Sequence, residues 1–487
     1  MTDKSSSVKA LTFLSVSLFL LSTLPKFLCS GMFFDGATYA SISRNLAEGR
    51  GTFWSPYYTD TTYPVFHEQP PLFFLLQAIP FRLFGNSVHV EASWGIATGL
   101  LLLLLIWVIW TSDRAESEAP AGGWAPVLLF ATIPMAWWIF SNNMLEGTMV
   151  VFSTLAALLA IQSLRSSRRA SISLLAVGSG LVTLAAVLVK GPVGLFPLGV
   201  PILWCVAIDR RRVGNALFVA ALMLAGLLGA FLLLIAIDTR ALPSLSQYFS
   251  QQFVASVSGA RGKAGSHFGI LRVVAREVVV PFVVGVVAWG AARSWGRRVA
   301  VPNVGPRFWF YLLIGLSGSL PVAISPKQMM WYVFPSFPFY CLAIAALFEG
   351  SFGAIEDACS TTVLRRRVVW VVGGAVLLGA LSWMIVAKGT VLRGKAFHHD
   401  FVAQRLSIPE RAILSVYPPE MARDWVLVAY MQRQFKASLS DSIGHEYLLV
   451  KVDQQTYVDS LHAYERVHPP NPTGYVLYIK RDLPALP

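Results

Sequence analysis

The chain has 487 residues, of which 55% are hydrophobic and 13% charged, and its mean hydropathy is +0.59. This composition excludes a soluble globular domain and indicates a polytopic α-helical membrane protein. The net charge of +13 does not indicate a nucleic-acid partner, because the arginines stand in short clusters between apolar runs, as the positive-inside rule describes. The four cysteines lie in or beside apolar runs and predict no disulfide framework.

Apolar runs of roughly 17 to 23 residues predict about eleven transmembrane helices. They lie near 10–30, 92–110, 124–141, 147–164, 170–189, 192–208, 214–237, 271–292, 307–324, 329–348 and 368–387. The first run could also be a signal peptide, but no A-x-A-like cleavage site precedes Gly31. We therefore interpret it as a first span whose N-terminus is cytoplasmic.

With that start, every arginine cluster falls on the cytoplasmic side. The clusters occupy 165–169, 209–212, 293–298 and 365–367. The segments expected outside are 31–91, 142–146, 190–191, 238–270, 325–328 and 388–487. The agreement between charge and alternation supports this orientation.

Two outer segments are long enough to fold. The segment 31–91 contains two amphipathic patterns, at 37–48 and 70–85, which predict juxtamembrane helices ended by glycine. The tail 388–487 contains short β-like runs at 412–417, 425–431, 447–452 and 475–480. We predict a transmembrane domain over 1–387 and a small α/β or α+β domain over 388–487. Deleting this tail is expected to leave some activity.

Ionisable residues near a membrane are costly and indicate function. Several such residues, with one tyrosine, map to the same predicted outer face. They are Asp35, His67, Glu68, Glu146, Lys190, His267, Arg272, Lys327 and Tyr332. A patch of acids and cations at one interface suits a ligand with a polar headgroup and an apolar remainder in lipid.

Each of these residues also has a structural interpretation. Asp35 could cap the helix that follows it, and Glu146 could be a first-turn acid favoured by the helix dipole. Lys190 and Lys327 could be anchors that extend from a helix end toward water.

Metal binding by His67, Glu68 and His267 has weak support from spacing, because two adjacent residues and a distant one form no ligand signature. The segment "RGKAGSH", which ends at His267, could be an ordinary solvated loop.

Five blocks of sequence resemble, in order, those of the polyprenyl-phosphate-dependent glycosyltransferases with the GT-C fold. They are "FFDGATYASISRNLAEGRG", "FHEQPPLFFLLQAIPFRLFG", "NNMLEGTMVVF", "LVKGPVGLFPLGVP" and "SPKQMMWYVFPSFPFYCLAIA". The nearest branch is that of the bacterial lipid A aminoarabinose transferases, which are related to the protein O-mannosyltransferases. The resemblance covers about the first 350 residues.

The resemblance implies that an acceptor hydroxyl attacks the anomeric carbon of a sugar carried on a polyprenyl phosphate, with inversion. Asp35 would be the general base or would orient the acceptor, and Glu146 matches a second acid that is commonly Asp in the family. Tyr39 and His67 would position the substrate. The acceptor, a lipid, a glycolipid or a protein, stays open, and the enzyme is expected to act as a monomer among membrane lipids.

The resemblance further implies a divalent metal ion near Glu68 and His267. The residues expected at the lipid phosphate are Arg272, Tyr332, Lys190, Lys327 and Gln69. At Gln69 the chain departs from the aminoarabinose transferases, which have lysine before the paired prolines, so this sugar is in doubt.

No nucleotide is expected, because no G-x-G-x-x-G stands between a strand and a helix. The alternative function is a lipid or solute transporter, for example a flippase. Such a protein would carry its polar residues at mid-membrane, whereas those named above lie at one edge. The sequence also shows no internal repeat, whereas such repeats are common in transporters.

Overall fold

A computed structural model of the chain describes residues 4–112, 122–258, 269–295, 302, 304–403, 408–455, 463–468 and 471–481. Within these residues, eight helices are long and apolar enough to cross a membrane, and a bent pair makes a ninth candidate. The eight are Lys4–Leu28, His89–Ser112, Leu145–Arg165, Arg169–Lys190, Arg210–Ile237, Pro306–Ile324, Met330–Leu347 and Val363–Val386. The chain is thus a multi-pass membrane protein, as its composition predicts.

The α-helices, in chain order, are α1 (Lys4–Thr23), α2 (Phe34–Ala47), α3 (Leu72–Phe84), α4 (His89–Ser112), α5 (Trp124–Ala131), α6 (Pro134–Ser141), α7 (Leu145–Arg165), α8 (Arg169–Lys190), α9 (Val200–Ala207), α10 (Val213–Ile237), α11 (Ala241–Tyr248), α12 (Ala255–Val257), α13 (Gly269–Ser294), α14 (Pro306–Ile324), α15 (Phe337–Leu347), α16 (Glu349–Thr361), α17 (Val363–Val386), α18 (Lys395–Phe397) and α19 (Trp425–Phe435). Short 3₁₀ helices are Leu24–Leu28, Pro192–Gly199, Arg210–Arg212, Met330–Ser336, Pro419–Arg423 and Val452–Gln454, and π-helices are Phe249–Val254 and His398–Ala403.

Each of the eleven predicted spans is helical, but three differ from a simple crossing. The predicted span 124–141 is two helices, α5 and α6, bent by 74° at a break before Pro134. A proline disfavours helical geometry in the residue before it, which accounts for the break. The span 192–208 is a short 3₁₀ and α segment, and α13 carries several charged residues and stands outside the eight. Helix α16, which is rich in acids, was not predicted.

Contacts among described helix ends that carry basic residues mark one end of the bundle, here called the arginine-rich end. Arg307 pairs with Glu349 at 2.9 Å, beside the start of α14 and the end of α15. The guanidinium of Arg365 lies 5.6 Å from the ring centroid of Trp295. At the same end, Lys4 pairs with an acid of α16 at 2.8 Å.

The loops that carry most of the predicted site residues meet at the opposite end, here called the site end. The Phe33 amide donates to Asn142 Oδ1 at 2.8 Å, which joins the start of α2 to the end of α6. The Tyr248 hydroxyl donates to the Lys190 carbonyl at 3.0 Å, and Ser30 joins the end of α17 through a backbone bond of 2.9 Å.

The two juxtamembrane helices are α2 and α3. Each ends near a glycine with a positive φ, Gly49 at 80° and Gly85 at 67°, a conformation that favours glycine. The helix-stop signals in the sequence therefore predicted these ends correctly.

The C-terminal segment forms a five-stranded mixed sheet in the order β2-β1-β3-β5-β4. The strands are β1 (Ile413–Tyr417), β2 (Ser438–Ser440), β3 (Tyr447–Lys451), β4 (Tyr464–His468) and β5 (Tyr475–Lys480). Strand β1 pairs in parallel with β2 and β3, whereas β5 is antiparallel to β3 and β4. Three predicted strands are present, while β2 and β4 were not predicted.

The prediction of a strand at 425–431 was wrong, because this segment begins helix α19. The Asp424 carboxylate accepts from the amides of Val426 and Leu427 and caps the helix. Leu427, Val428 and Met431 then form one buried face at helical spacing.

This C-terminal segment shares a hydrophobic core with the helices of the first outer loop. Tyr39, Ile42 and Leu46 of α2 belong to the same buried cluster as Leu427 and Met431 of α19. A shared core means that neither part has a complete interior without the other. The sequence predicted that deleting residues 388–487 leaves some activity, whereas the shared core predicts that this deletion disrupts folding at the junction.

Polar contacts reinforce this junction. The buried Arg44 guanidinium donates to the carbonyl of Gln432 at 2.9 Å and to that of Arg433 at 3.2 Å. Arg433 forms a buried ion pair with Glu91 at the start of α4 and also bonds Asn86. The site end is therefore a single packed unit built from the outer loop, the helix ends and the tail.

Candidate active site

A cavity of about 510 Å³ opens at the site end, against the first turn of α2. Seven of the residues predicted from the sequence line it: Asp35, Tyr39, Glu68, Gln69, Lys190, Lys327 and Tyr332. Aromatic rings complete the wall, among them Phe33, Phe34, Phe66, Trp331 and Trp425. The fold thus brings together residues from the first outer loop and from the ends of α8 and α14.

Asp35 is the second residue of α2, whose N-cap is Phe33. It does not cap the helix, so the capping interpretation was wrong. Its carboxylate makes no hydrogen bond or ion pair with any residue that the structure describes. Burial raises the pKa of Asp35 to about 6, while nearby Lys190 opposes and Glu146 adds to this increase.

Glu146 and Lys190 form a buried ion pair behind the cavity. The Lys190 ammonium lies 2.7 Å from Glu146 Oε1, and the two side chains are 6% and 0% exposed. Glu146 is indeed in the first turn of α7, as its structural interpretation proposed. Lys190, however, extends into the protein rather than toward water, so its interpretation as an exposed anchor was wrong.

The ammonium of Lys190 also faces the ring of Tyr332, 5.5 Å from its centroid. Lys327 lies three residues after the end of α14 and lines the same cavity. Lys190, Lys327 and the Tyr332 hydroxyl can together supply positive charge and a hydrogen-bond donor to an anion in this cavity.

Tyr39 follows Asp35 by one helical turn and is buried, with its ring edge against Phe73 at a centroid distance of 6.0 Å. Burial first, and the neighbouring Asp35 second, raise the pKa of the Tyr39 phenol well above its usual value. The phenol therefore stays protonated and available as a donor.

A second, apolar cavity of about 550 Å³ adjoins the first. The two share the residues Glu68, Gln69, Lys190, Gln252 and Tyr332. The remainder of the second cavity is mostly apolar and includes Val193, Leu195, Phe196 and Pro321. A polar cavity joined to an apolar one suits an amphipathic ligand whose charged group lies at the junction.

Four predicted site residues are absent from the described linings of these cavities: Glu146, which lies behind the first, Arg272, His67 and His267. Arg272 is exposed on α13 and lines neither cavity. His67 lies against Ser244, with 3.3 Å between Nδ1 and Oγ, and burial lowers the pKa of its imidazole. His267 falls outside the described residues.

Only one of the two residues predicted to bind a metal ion lies within the described part of the chain. Glu68 lines both cavities, but its predicted co-ligand His267 is not described. Among the described residues, no group of three or more His, Cys, Asp or Glu side chains could hold a metal ion.

Sequence reasoning missed the residues that hold α2 in place. Asn143 donates to the Gly36 carbonyl at 3.0 Å and bonds the Gln77 amide. A side chain at Gly36 would lie 1.9 Å from the Asn142 carbonyl oxygen, so this close approach requires glycine. The pair of asparagines just before α7 was the available signal, because polar amides at the end of an apolar run need partners.

No family model matches the sequence, and no curated protein matches it. Its structure is similar to the crystal structure of ArnT from Cupriavidus metallidurans bound to undecaprenyl phosphate, with a TM-score of 0.66 and 16% identity over 98% of each chain. The apo state of the same protein gives a TM-score of 0.62 and 16% identity over 96% of each chain. ArnT is a lipid A aminoarabinose transferase. The fold predicted from the resemblance is confirmed: the chain has the GT-C fold seen in ArnT.

Proposed function

We propose that this protein transfers a sugar from a polyprenyl-phosphate donor to a hydroxyl group of a lipid, glycolipid or protein acceptor, at the outer face of a bacterial inner membrane. The observation that carries this proposal is the junction of the two cavities. In the first cavity Asp35, a carboxylate without a hydrogen bond to described residues, lies near the cations Lys190 and Lys327, and Lys190 also lines the adjoining apolar cavity.

The donor matches this junction in shape and charge. Its phosphate suits Lys190, which lines both cavities, and Lys327, which lines the first, while the first part of its apolar chain suits the cavity lined by Leu195 and Phe196. The similarity in fold to a protein solved with undecaprenyl phosphate supports the same class of ligand.

Asp35 suits the role of general base. The acceptor oxygen forms a bond to the anomeric carbon, its proton passes to the Asp35 carboxylate, and the bond from that carbon to the phosphate oxygen breaks. Since burial raises its pKa to about 6, Asp35 is a stronger base than an exposed aspartate yet is ionised at neutral pH. Its negative charge also stabilises the positive charge that develops on the sugar ring.

The leaving phosphate takes up the electron pair of the broken bond. Lys190 and Lys327 stabilise the charge that develops there, and this stabilisation is greater in the transition state than in the ground state. Glu146 holds the Lys190 ammonium in place and so positions it.

Gln69 lines both cavities where the aminoarabinose transferases have lysine. A neutral amide donates to a phosphate but adds no charge. We therefore propose that this protein either transfers a different sugar from the aminoarabinose transferases or contacts the donor headgroup differently.

A divalent metal ion at Glu68 and His267 remains a proposal that rests on the resemblance. One carboxylate among the described residues fits it, and the ion would supply further positive charge near the donor phosphate.

Mass spectrometry of envelope lipids and glycoproteins, from cells with and without this chain, tests the proposed function. We expect one class of molecule to gain a sugar only when the chain is present, and to lose that gain with Asp35→Asn. A transporter would instead move a lipid without forming a new glycosidic bond. A profile that is identical with and without the chain would reject glycosyl transfer.

A further inference from the structure

One residue of the C-terminal segment reaches the candidate active site. Trp425, the first residue of α19, lines the cavity of Asp35 and is half-buried. It is the only described lining residue of either cavity that comes from the segment after residue 387. The tail therefore contributes a side chain to the site itself, in addition to its part in the shared core.

Aromatic stacking on the first outer loop holds the indole of Trp425 in place. The indole stacks on Tyr63, with ring centroids 4.5 Å apart and planes 25° from parallel. It also lies nearly parallel to Tyr58, at a centroid distance of 6.4 Å and an angle of 12°. Tyr58 is fully buried, and its hydroxyl bonds that of Thr38 on α2, one turn after Asp35. These contacts orient the indole relative to the helix that carries Asp35.

Hydrogen bonds between the same loop and the tail reinforce this arrangement. The Thr61 hydroxyl donates to the Leu439 carbonyl at 2.6 Å. The Asp60 amide donates to Ser438 Oγ at 2.9 Å. A ring that is already ordered loses little conformational entropy when a ligand contacts it, so the indole is suited to binding.

The order of residues along the two cavities places the indole beside the transferred group. In the proposed function, the apolar cavity holds the lipid chain, and Lys190 and Tyr332, which line both cavities, lie at the donor phosphate. Asp35 and Trp425 line only the first cavity. A sugar attached to the phosphate, on the side away from the lipid, therefore enters the part of the site that Asp35 and Trp425 line.

A pyranose ring suits the face of an indole. Its C–H bonds carry partial positive charge and gather on the faces of the ring, whereas an aromatic face carries partial negative charge and attracts them. A flexible polyol has hydroxyl groups but no rigid C–H face. The amides of Gln69 and Gln252, which line both cavities, can bond the hydroxyl groups at the rim of the sugar.

We propose that Trp425 stacks on the ring of the transferred sugar and selects donors whose sugar presents an unbroken C–H face. This inference rests on the proposed function, because it takes the donor phosphate to lie at Lys190. It gives the C-terminal segment a direct part in the choice of sugar.

Binding of donor analogues to the purified full-length protein tests this contact without any transfer step. The probes are farnesyl phosphate, its diester with glycerol, and its diesters with glucose, galactose, mannose or arabinopyranose, each titrated by calorimetry in one detergent. We expect at least one sugar diester to bind wild type more tightly than the glycerol diester. Trp425→Leu should lose about three- to tenfold in affinity for that sugar diester. Its affinity for farnesyl phosphate and for the glycerol diester should not change.

Two variants and one probe serve as controls. Trp425→Phe keeps an aromatic face and should keep most of the preference for the sugar diester. Trp383→Leu removes an exposed tryptophan of α17 that lines neither cavity, and should bind like wild type. Unchanged affinity of Trp425→Leu for farnesyl phosphate shows that the site is folded. The stacking role would be overturned by an equal loss for every probe, by no loss for any, or by a wild type that prefers no sugar diester to the glycerol diester.

A transfer assay identifies which ring the indole contacts. The preferred sugar diester is the donor, and envelope lipids from cells without this chain are the acceptor. We expect Trp425→Leu to raise KM for the donor and to leave the apparent KM for the acceptor unchanged. A rise for the acceptor alone would overturn the assignment to the transferred sugar.

Failure of this inference is distinguishable from failure of the proposed function. Transfer by Trp425→Leu with an unchanged KM for the donor would contradict the inference and leave glycosyl transfer standing. Sugar-dependent binding that needs Trp425, without transfer to any envelope acceptor, would contradict the proposed function and leave the stacking contact standing.

Discussion

The Lys190 ammonium lies 2.7 Å from Glu146 Oε1, where the end of α8 meets the start of α7, and both side chains are buried. Removing two charges from water costs more free energy than a single contact returns, so such a pair is a poor source of stability. Its position at the wall of the Asp35 cavity instead places a fixed cation beside the proposed phosphate site. Mutations of Glu146 and Lys190 can therefore distinguish the effect of this pair on stability from its effect on activity.

Breaking this pair should destabilise the protein, and neutralising both partners should not. We expect Lys190→Met or Glu146→Gln alone to lower the free energy of unfolding by about 3 to 5 kcal/mol, because each leaves a buried charge without its partner. Lys190→Met/Glu146→Gln should recover most of this loss but remain inactive. The measurement is a denaturant titration in detergent with a parallel transfer assay. An active double variant would remove Lys190 from the phosphate site.

Replacing Asp35 by asparagine should abolish transfer without affecting folding. The expected decrease in kcat is about 10²- to 10⁴-fold, because the amide cannot accept the acceptor proton. Asp441→Asn, at an exposed loop position, is the matched control and should be fully active. Size-exclusion chromatography checks folding, and a fully active Asp35→Asn variant would rule out the general base.

The raised pKa of Asp35 predicts opposite effects of pH on rate and stability. The rate should rise as pH increases through about 6, since the ionised carboxylate is the base. The folded-state pKa of about 6 lies above the ordinary value of 3.8, so the folded protein binds this proton more tightly than the unfolded chain does. The contribution of Asp35 to stability is then greatest at low pH and is lost as pH rises through about 6.

Asp35→Asn should therefore melt at a higher temperature than wild type at about pH 8, and the difference should shrink toward about pH 4. Melting curves at several pH values in one detergent measure this. A difference that does not change with pH would mean that the burial of Asp35 costs no stability.

Removal of the C-terminal segment should prevent folding of the site end. Truncation after residue 387 exposes the shared core around Ile42 and Leu46 and removes Arg433 from buried Glu91. We expect an aggregated and inactive product, and Arg433→Ala should be destabilised by about 3 to 5 kcal/mol. Expression yield, monodispersity and transfer are the measurements. An active truncated chain would show that the helix bundle carries the site alone.

The metal proposal predicts that a chelator lowers the transfer rate. Glu68→Gln and His267→Ala should then each reproduce the effect of chelation, and neither should respond further to the chelator. Metal content by mass spectrometry is an independent readout, and full turnover by metal-free wild type would exclude a required ion.

Most of the bundle could be predicted from local pattern. Apolar length predicted the spans, and the glycines after α2 and α3 predicted where those helices end. The prediction of a strand at 425–431 was wrong because a short apolar run is compatible with both the helical and the strand periodicity. Capping by the Asp424 carboxylate stabilises the helix.

The candidate site could be predicted only in part. An ionisable side chain near the membrane costs free energy and therefore indicates function. This criterion identified Asp35, Glu146 and Lys190 as candidates from the sequence. The roles of Asn143 and Trp425 could not be found, because they depend on contacts between segments far apart in the chain.

Hydropathy and charge patterning settled that this is a multi-pass membrane protein and which of its residues are chemically unusual, because those properties belong to each segment separately. Tertiary structure decided which of these residues meet. It paired Glu146 with Lys190, left Asp35 without a hydrogen bond to the described residues, kept Arg272 out of both cavities, and joined the tail to the outer loop in one core. Such outcomes depend on how segments pack against one another, and local sequence does not specify that packing.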